Sequence, residues 1–378
     1  MPILRMGEIM KRLFAGAVAA LTVAALFLPI RVRAISAQKA VVLDTATERI
    51  LYGKESDSRS LIASTTKIMT GYIVARRCNV LDRFRIPKEA VGIEGSSMYL
   101  QEGEVLTVQE LLYGLMLHSG NDAAVALAIY CAGTVEGFVD LMNETAISLG
   151  LSGTHFANPH GLDAPEHYST AEDLAKLAAA AMEEPVFAMT VSTKTVQAGD
   201  RYLRNHNKLL WRLEGADGVK TGYTKAAGRI LVSSACREGR RLIGVTINAA
   251  DDWNDHKVLL ERAFREFSLY TVVSEGEVLG VAEVSGGDCG YVELIAGEEF
   301  VYPLTSDEKV TLQLPGIGFV YAPVSAGQRV GQTNIYVNDH CVGSVEVIFG
   351  ATVEQESQKE RSFIRKWTDR LFGKGEVS

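Results

Sequence analysis

The chain has 378 residues, 47% of them hydrophobic and 22% charged, ordinary proportions for a soluble globular protein with room for two domains and a sizeable core. Its 38 Lys and Arg against 46 Asp and Glu leave a formal net charge of -8, which excludes a whole-chain nucleic-acid footprint. Five cysteines, Cys78, Cys131, Cys236, Cys289 and Cys341, are odd in number and show no CxxC spacing, which argues against a disulfide framework and against a zinc site.

The N-terminus reads as an export signal over residues 1–34. Lys11 and Arg12 form its basic region, and Leu13 to Leu28 is uncharged. Val32-Arg33-Ala34 offers a small-residue cleavage site, with Ala37 as a second choice. The apolar run falls short of the roughly 20 residues a spanning helix needs. The chain after the cut opens with Ala40-Val41-Val42-Leu43, a turn at Asp44 to Thr47, and Arg49-Ile50-Leu51-Tyr52, the pattern of a β-hairpin. A helical period follows from Thr66 to about Arg77. Thr107 with Glu110 forms a capping box ahead of Leu111, Leu112, Leu115 and Met116. That helix stops at His118-Ser119-Gly120-Asn121-Asp122, and an alanine-rich helix restarts at once. Thr134 and Gly150 bracket a third, and Ser169 with Glu172 is expected to cap a fourth.

After Gly222, Arg229 to Cys236 and Leu242 to Ile247 read as strands paired across a turn, with a helix expected from about Asp255 to Tyr270. Strands at both ends with helices between imply one α/β unit, residues 35–270. From Thr271 to Thr352 short alternating stretches separated by glycine predict a small all-β domain. Within it Cys289 and Cys341 are the one pair to consider; buried free thiols are the expectation for all five. The last segment, 353–378, reads as a polar linker and then a basic amphipathic helix. Phe363, Ile364, Trp367 and Leu371 recur at helical spacing among Arg361, Arg365, Lys366, Arg370 and Lys374, a composition suited to an anionic membrane surface.

Three short motifs carry chemistry. In Ser64-Thr65-Thr66-Lys67, a serine and a lysine three apart project from one helix face. A serine hydroxyl is a poor nucleophile until a base takes its proton. A lysine can be that base only when neutral, so burial or a nearby cation such as Lys220 must lower its pKa. Ser119 and Asn121 sit in a tight break between helices, where the serine can relay a proton to a leaving amine and the asparagine can bond an amide. Lys220-Thr221-Gly222 starts a strand; the cation and hydroxyl suit a terminal carboxylate, and the glycine admits a close substrate backbone. The N–H groups of Ser64 and Tyr223 then supply an oxyanion hole, worth roughly 3–4 kcal/mol per donor in comparable sites. Each motif alone has a bland reading, as a helix start, a helix stop or an edge strand; each supplies a role the others lack.

With these motifs in this order, the chain resembles the D-alanyl-D-alanine carboxypeptidases, the low-molecular-mass penicillin-binding proteins. The likeness includes Gly95-Ser96-Ser97-Met98-Tyr99-Leu100, Asn158-Pro159-His160-Gly161-Leu162-Asp163 and Asp217 to Thr224. It implies a penicillin-binding/β-lactamase-like transpeptidase fold with a C-terminal all-β domain. It implies Ser64 as the acylated nucleophile, Lys67 as its base, Ser119 and Asn121 as the second motif, and Lys220, Thr221, Gly222 and Tyr223 around the substrate carboxylate. Stem pentapeptides of peptidoglycan are the implied substrate, β-lactams the implied covalent inhibitors, and no cofactor or metal is implied. The terminal helix implies a peripheral enzyme on the outer face of the cytoplasmic membrane. Some family members have histidine at the place of Tyr223 and arginine near that of His206, departures that bear on substrate preference and deacylation. A serine β-lactamase is the nearest competitor, but its Ser-Asp-Asn motif is Ser-Gly-Asn here, and no glutamate before a Leu-Asn pair lies between the second and third motifs. A non-catalytic peptidoglycan binder or β-lactam sensor would need no activated serine, and an endopeptidase acting on cross-links fits the same motifs.

Overall fold

The computed structural model describes residues 35–356, 366–368 and 370. The expected export signal, and Phe363, Ile364 and Leu371 of the terminal stripe, lie outside the described residues. Trp367 is described, helical and 61% exposed.

The first part is built from β1 (Lys39–Asp44), β2 (Ile50–Lys54), α1 (Lys67–Arg77), β3 (Arg83–Arg85), β4 (Val105–Thr107), α2 (Val108–Leu117), α3 (Asn121–Ala132), α4 (Val135–Ser148), α5 (Ala171–Met182), α6 (Pro185–Ser192), β5 (Thr195–Ala198), β6 (Arg201–Arg204), β7 (Ala216–Thr224), β8 (Gly228–Arg237), β9 (Arg240–Ile247) and α7 (Asp252–Glu266). The hairpin turn closes because the Asp44 carboxylate accepts from the Ala46 and Thr47 N–H groups at 3.1 and 3.3 Å. β1 pairs with β9, so the first and last strands of the α/β part meet in one antiparallel sheet of order β2-β1-β9-β8-β7. β7 lies at its edge.

Both faces of the sheet are covered, so its middle strands read as continuous apolar runs. Ile230, Val232, Ile243 and Val245 join the helical core with Leu115, Leu127 and Phe156. The alternate residues face α7, where His256 Nδ1 and Nε2 bond Ser233 Oγ at 2.5 Å and Thr246 Oγ1 at 2.9 Å. Thr107 and Glu110 form the expected capping box on α2. On α5 the cap is Thr170 rather than Ser169: Thr170 Oγ1 accepts from the Asp173 N–H at 3.0 Å. Ser169 is engaged instead in a backbone bridge to Ser60, and Glu172 accepts from Ser56 Oγ at 2.6 Å.

The helix expected to reach Tyr270 ends at Glu266. Ser268–Val273 is a strand, β10, because Tyr270 and Thr271 pair with Tyr302 and Val301 of a later strand. The expected boundary at 270/271 therefore falls inside β10. Then come β11 (Val278–Ser285), β12 (Tyr291–Ala296), β13 (Phe300–Leu304), β14 (Val310–Gln313), β15 (Phe319–Tyr321), β16 (Arg329–Val337) and β17 (His340–Phe349). β10 pairs with β13, and the others form a sheet of order β14-β16-β17-β12-β11-β15. Arg49 ties the two parts: its guanidinium bonds the Pro303 carbonyl and the Glu308 carboxylate, and lies 4.9 Å from the Tyr302 ring centroid. All five cysteines are free, but none is fully buried. Cys289 and Cys341 are exposed, in the β11–β12 turn and at the start of β17, and do not pair. No single helix among the described residues is long and apolar enough to cross a membrane.

Candidate active site

Before α1 the chain makes a 3₁₀ turn, Ala63–Thr66, which presents Ser64 half-exposed at the head of a buried helix. Ala63 has φ +45°, a left-handed conformation that costs an ordinary residue energy and recurs at functional sites. Gly161 makes room for it: a Cβ there would sit 1.9 Å from the Ala63 carbonyl oxygen. Thr66 Oγ1 donates to that carbonyl at 2.9 Å and meets His167 Nε2 at 2.7 Å. His167 Nδ1 accepts the Ala157 N–H at 3.0 Å, which assigns the ring proton to Nε2. Burial lowers the His167 pKa to about 4, so the brace is neutral.

Lys67 is fully buried one turn after Ser64. Its Nζ lies 3.0 Å from Ser64 Oγ, and donates to Asn121 Oδ1 and to the His160 carbonyl, each at 2.6 Å. Its pKa is pushed well below the ordinary lysine value, first by burial and then by the charge of Lys220, against the opposing pull of Asp122. A neutral amine has two N–H groups and one lone pair. The two carbonyl acceptors take the N–H groups, which leaves the lone pair for the Ser64 hydroxyl. This corner can therefore activate a serine.

Ser119 and Asn121 occupy the break between α2 and α3, both buried, with Ser119 at φ +64°. Asn121 is held at both ends: its N–H donates to the Ser96 carbonyl at 2.7 Å, and its Nδ2 to the Glu94 carbonyl at 2.6 Å. Asp122 fixes the segment that supplies these acceptors. Its carboxylate accepts from Ser97 Oγ and from the Met98 and Leu100 N–H groups at 2.6, 3.0 and 3.1 Å.

The third motif lies on β7. A Cβ on Gly222 would come within 3.2 Å of the Ser64 nitrogen, a crowded contact with backbone, so glycine lets this strand lie close against the serine turn. Lys220 is buried, and burial lowers its pKa to about 7. Thr221 is half-buried, while Tyr223 is 66% exposed. The fold thus joins Ser64, Lys67 and Asn121 by direct hydrogen bonds, seats Gly222 on the Ser64 backbone and sets Lys220 within electrostatic reach of Lys67.

Four contributors carried no chemical signal in the sequence: the His160 and Glu94 carbonyls, the Asp122 clamp and the His167 brace. The stretches Gly95 to Leu100 and Asn158 to Asp163 were visible as strings, but a backbone carbonyl leaves no mark on residue type.

The sequence family described as D-alanyl-D-alanine carboxypeptidase matches residues 27–251, and that described as Penicillin-binding protein 5, C-terminal domain matches residues 267–355. D-alanyl-D-alanine carboxypeptidase DacD of Escherichia coli (strain K12) is 35% identical over 352 residues, 87% of this chain and 88% of that relative. D-alanyl-D-alanine carboxypeptidase DacF of Bacillus subtilis (strain 168) is 32% identical over 316 residues, 78% of this chain and 80% of that relative. Among solved structures, penicillin-binding protein 5 from Haemophilus influenzae gives a TM-score of 0.73 at 30% identity, covering 85% of this chain and 98% of that one.

Proposed function

Because the chain belongs to the D-alanyl-D-alanine carboxypeptidase family, and is by that membership a serine-type peptidase, we propose that it works through an acyl-enzyme on Ser64. The observation that carries this reading is the Lys67 amine, buried and spent on two carbonyls, 3.0 Å from Ser64 Oγ. Lys67 takes the serine proton as Ser64 Oγ attacks the carbonyl of the penultimate D-alanine. The Ser64 and Tyr223 N–H groups face the developing oxyanion. Lys220 and Thr221 hold the terminal carboxylate, and Gly222 lets the substrate backbone lie along β7 as an added strand on the free sheet edge. Ser119 passes the proton to the departing D-alanine amine; Asn121 keeps Lys67 aimed and bonds the substrate amide. Water then cleaves the ester.

A β-lactam offers an amide, strained by its four-membered ring, and a carboxylate in like positions, so it acylates Ser64 and leaves slowly. In this reading residues 35 to the end of α7 are catalytic and β10 to about residue 355 is the all-β domain; the linker expected from 353 starts later, because Val353 packs in the core of that domain and Val353 and Gln355 bridge to Val324 and Gly287, and the remaining residues to 378 are linker and anchor. The exposed Trp367 and the cations Lys366 and Arg370 support a peripheral seat on an anionic membrane after export. Purified protein should release D-alanine from a pentapeptide ending in D-Ala-D-Ala and hold a bound penicillin. Rapid penicillin turnover without D-alanine release would make it a lactamase instead.

A further inference from the structure

The two helices that meet at Lys67 and Asn121 also meet at their other ends, where the contact is a pair of thiols. α1 and α3 pack against each other. At their N-terminal ends Lys67 Nζ donates to Asn121 Oδ1 at 2.6 Å. Cys78 caps the C-terminus of α1, and Cys131 lies in the last turn of α3. From Lys67 to Cys78, and from Asn121 to Cys131, each helix climbs about 15 Å. Helices that start level and run side by side therefore bring the two cysteines level as well. There the Cys78 and Cys131 side chains are hydrogen-bonded to each other.

The setting suits oxidation. Both thiols pack against the helical core yet are partly exposed, within reach of a reagent in solvent. The Cys78 S–H bonded to it lowers the Cys131 pKa; burial opposes this, and the Arg77 charge adds to it. Cys131 is therefore the thiolate of the pair, and Cys78, whose pKa the same bond raises, is the thiol that follows.

We propose that Cys78 and Cys131 form a redox pair, which a disulfide oxidant closes into a bond that clips α1 to α3 at the ends away from Ser64. The Cys131 thiolate attacks the oxidant, displaces one of its thiolates and carries the other as a mixed disulfide. Cys78, its proton lost to solvent, then attacks the Cys131 sulfur and expels the second thiolate. One S–S bond forms in the protein and one breaks in the oxidant. The pair gives up two electrons and two protons, and the oxidant leaves as two thiols. Disulfide oxidants act outside the cytosol, so use of the pair in the cell rests on the export reading, whereas its chemistry on purified protein does not. The closed loop runs from residue 78 to 131. It holds β3, β4, α2, the Ser119 break and the 94–100 stretch that fixes Asn121 and Asp122. A cross-link over so long a loop restricts the unfolded chain strongly. The thiols already touch with Lys67 and Asn121 in place, so closing the bond stabilises the site without altering its chemistry.

The test equilibrates the purified full chain with oxidised or with reduced glutathione, quenches it with an alkylating reagent and maps it by mass spectrometry without reduction. Oxidised glutathione should give one intramolecular cross-link, joining the peptides of Cys78 and Cys131, with Cys289 and Cys341 modified separately. Reduction should lower Tm by about 5 °C in the wild-type chain and hardly at all in Cys131→Ser or Cys78→Ala. Pentapeptide turnover should agree within about twofold between the two states. Glutathione adducts on Cys78 or Cys131 in place of the cross-link would overturn the pair, as would free thiols there while Cys289 and Cys341 react. A cross-link whose reduction leaves Tm unmoved, or changes turnover several-fold, would overturn the clip.

Discussion

At the scale of residues, two buried lysines share one cleft and need different protonation states. Lys67 must lose its proton to serve as base, and Lys220 must keep its proton to hold a carboxylate. Burial lowers both, and Lys220 further depresses Lys67. The acid limb of kcat/KM should therefore rise as Lys67 deprotonates, and the alkaline limb should fall above about 7 as Lys220 loses its charge. A bound carboxylate favours the Lys220 cation, so the alkaline limb of kcat should lie at higher pH than that of kcat/KM. Lys67→Arg should abolish acylation, since guanidinium stays charged, whereas Lys220→Arg should retain part of the activity. Similar residual activity in the two arginine variants would show that the roles are not divided.

Elements set these residues, and His256 shows how. It sits between α7 and the sheet, bonded to Ser233 and Thr246, and burial lowers its pKa to about 3. The unfolded chain binds a proton that the folded protein refuses, so stability is lost as pH falls from the unfolded value near 6.5 toward about 3. At pH 5 that loss is roughly 2 kcal/mol. His256→Leu should be less stable at pH 7, because two buried hydroxyls lose a partner, yet lose less between pH 7 and pH 5. Melting curves across that range would expose the error if both proteins declined in parallel. The hairpin, the α2 capping box and the Ser-Lys spacing were legible in the sequence, because each is written in residue types at short range. The α5 cap was not, since Ser169 is recruited by Ser60, more than a hundred residues earlier in the chain. Nor was the end of α7, because Ser268 to Val273 becomes strand only through pairing with β13. The motifs named the side chains of the site, while its carbonyl acceptors came from loops that tertiary structure folds over Lys67.

At the scale of the whole molecule, Arg49 links the hairpin of the α/β part to β13 of the all-β part. If the C-terminal segment is the anchor, truncation after Gln358 should release the exported protein into the soluble fraction with turnover of a small peptide unchanged. Continued sedimentation with membranes, with the signal confirmed as cleaved, would place the anchor elsewhere. The central claim, an acyl-enzyme on the serine beside a neutral lysine, is tested most directly by intact-mass analysis after brief exposure to a penicillin, followed by peptide mapping. The account predicts one adduct of the penicillin's mass, carried by the peptide containing Ser64 and absent from a folded Ser64→Ala variant. An adduct that persists in that variant, or maps to another serine, would contradict it.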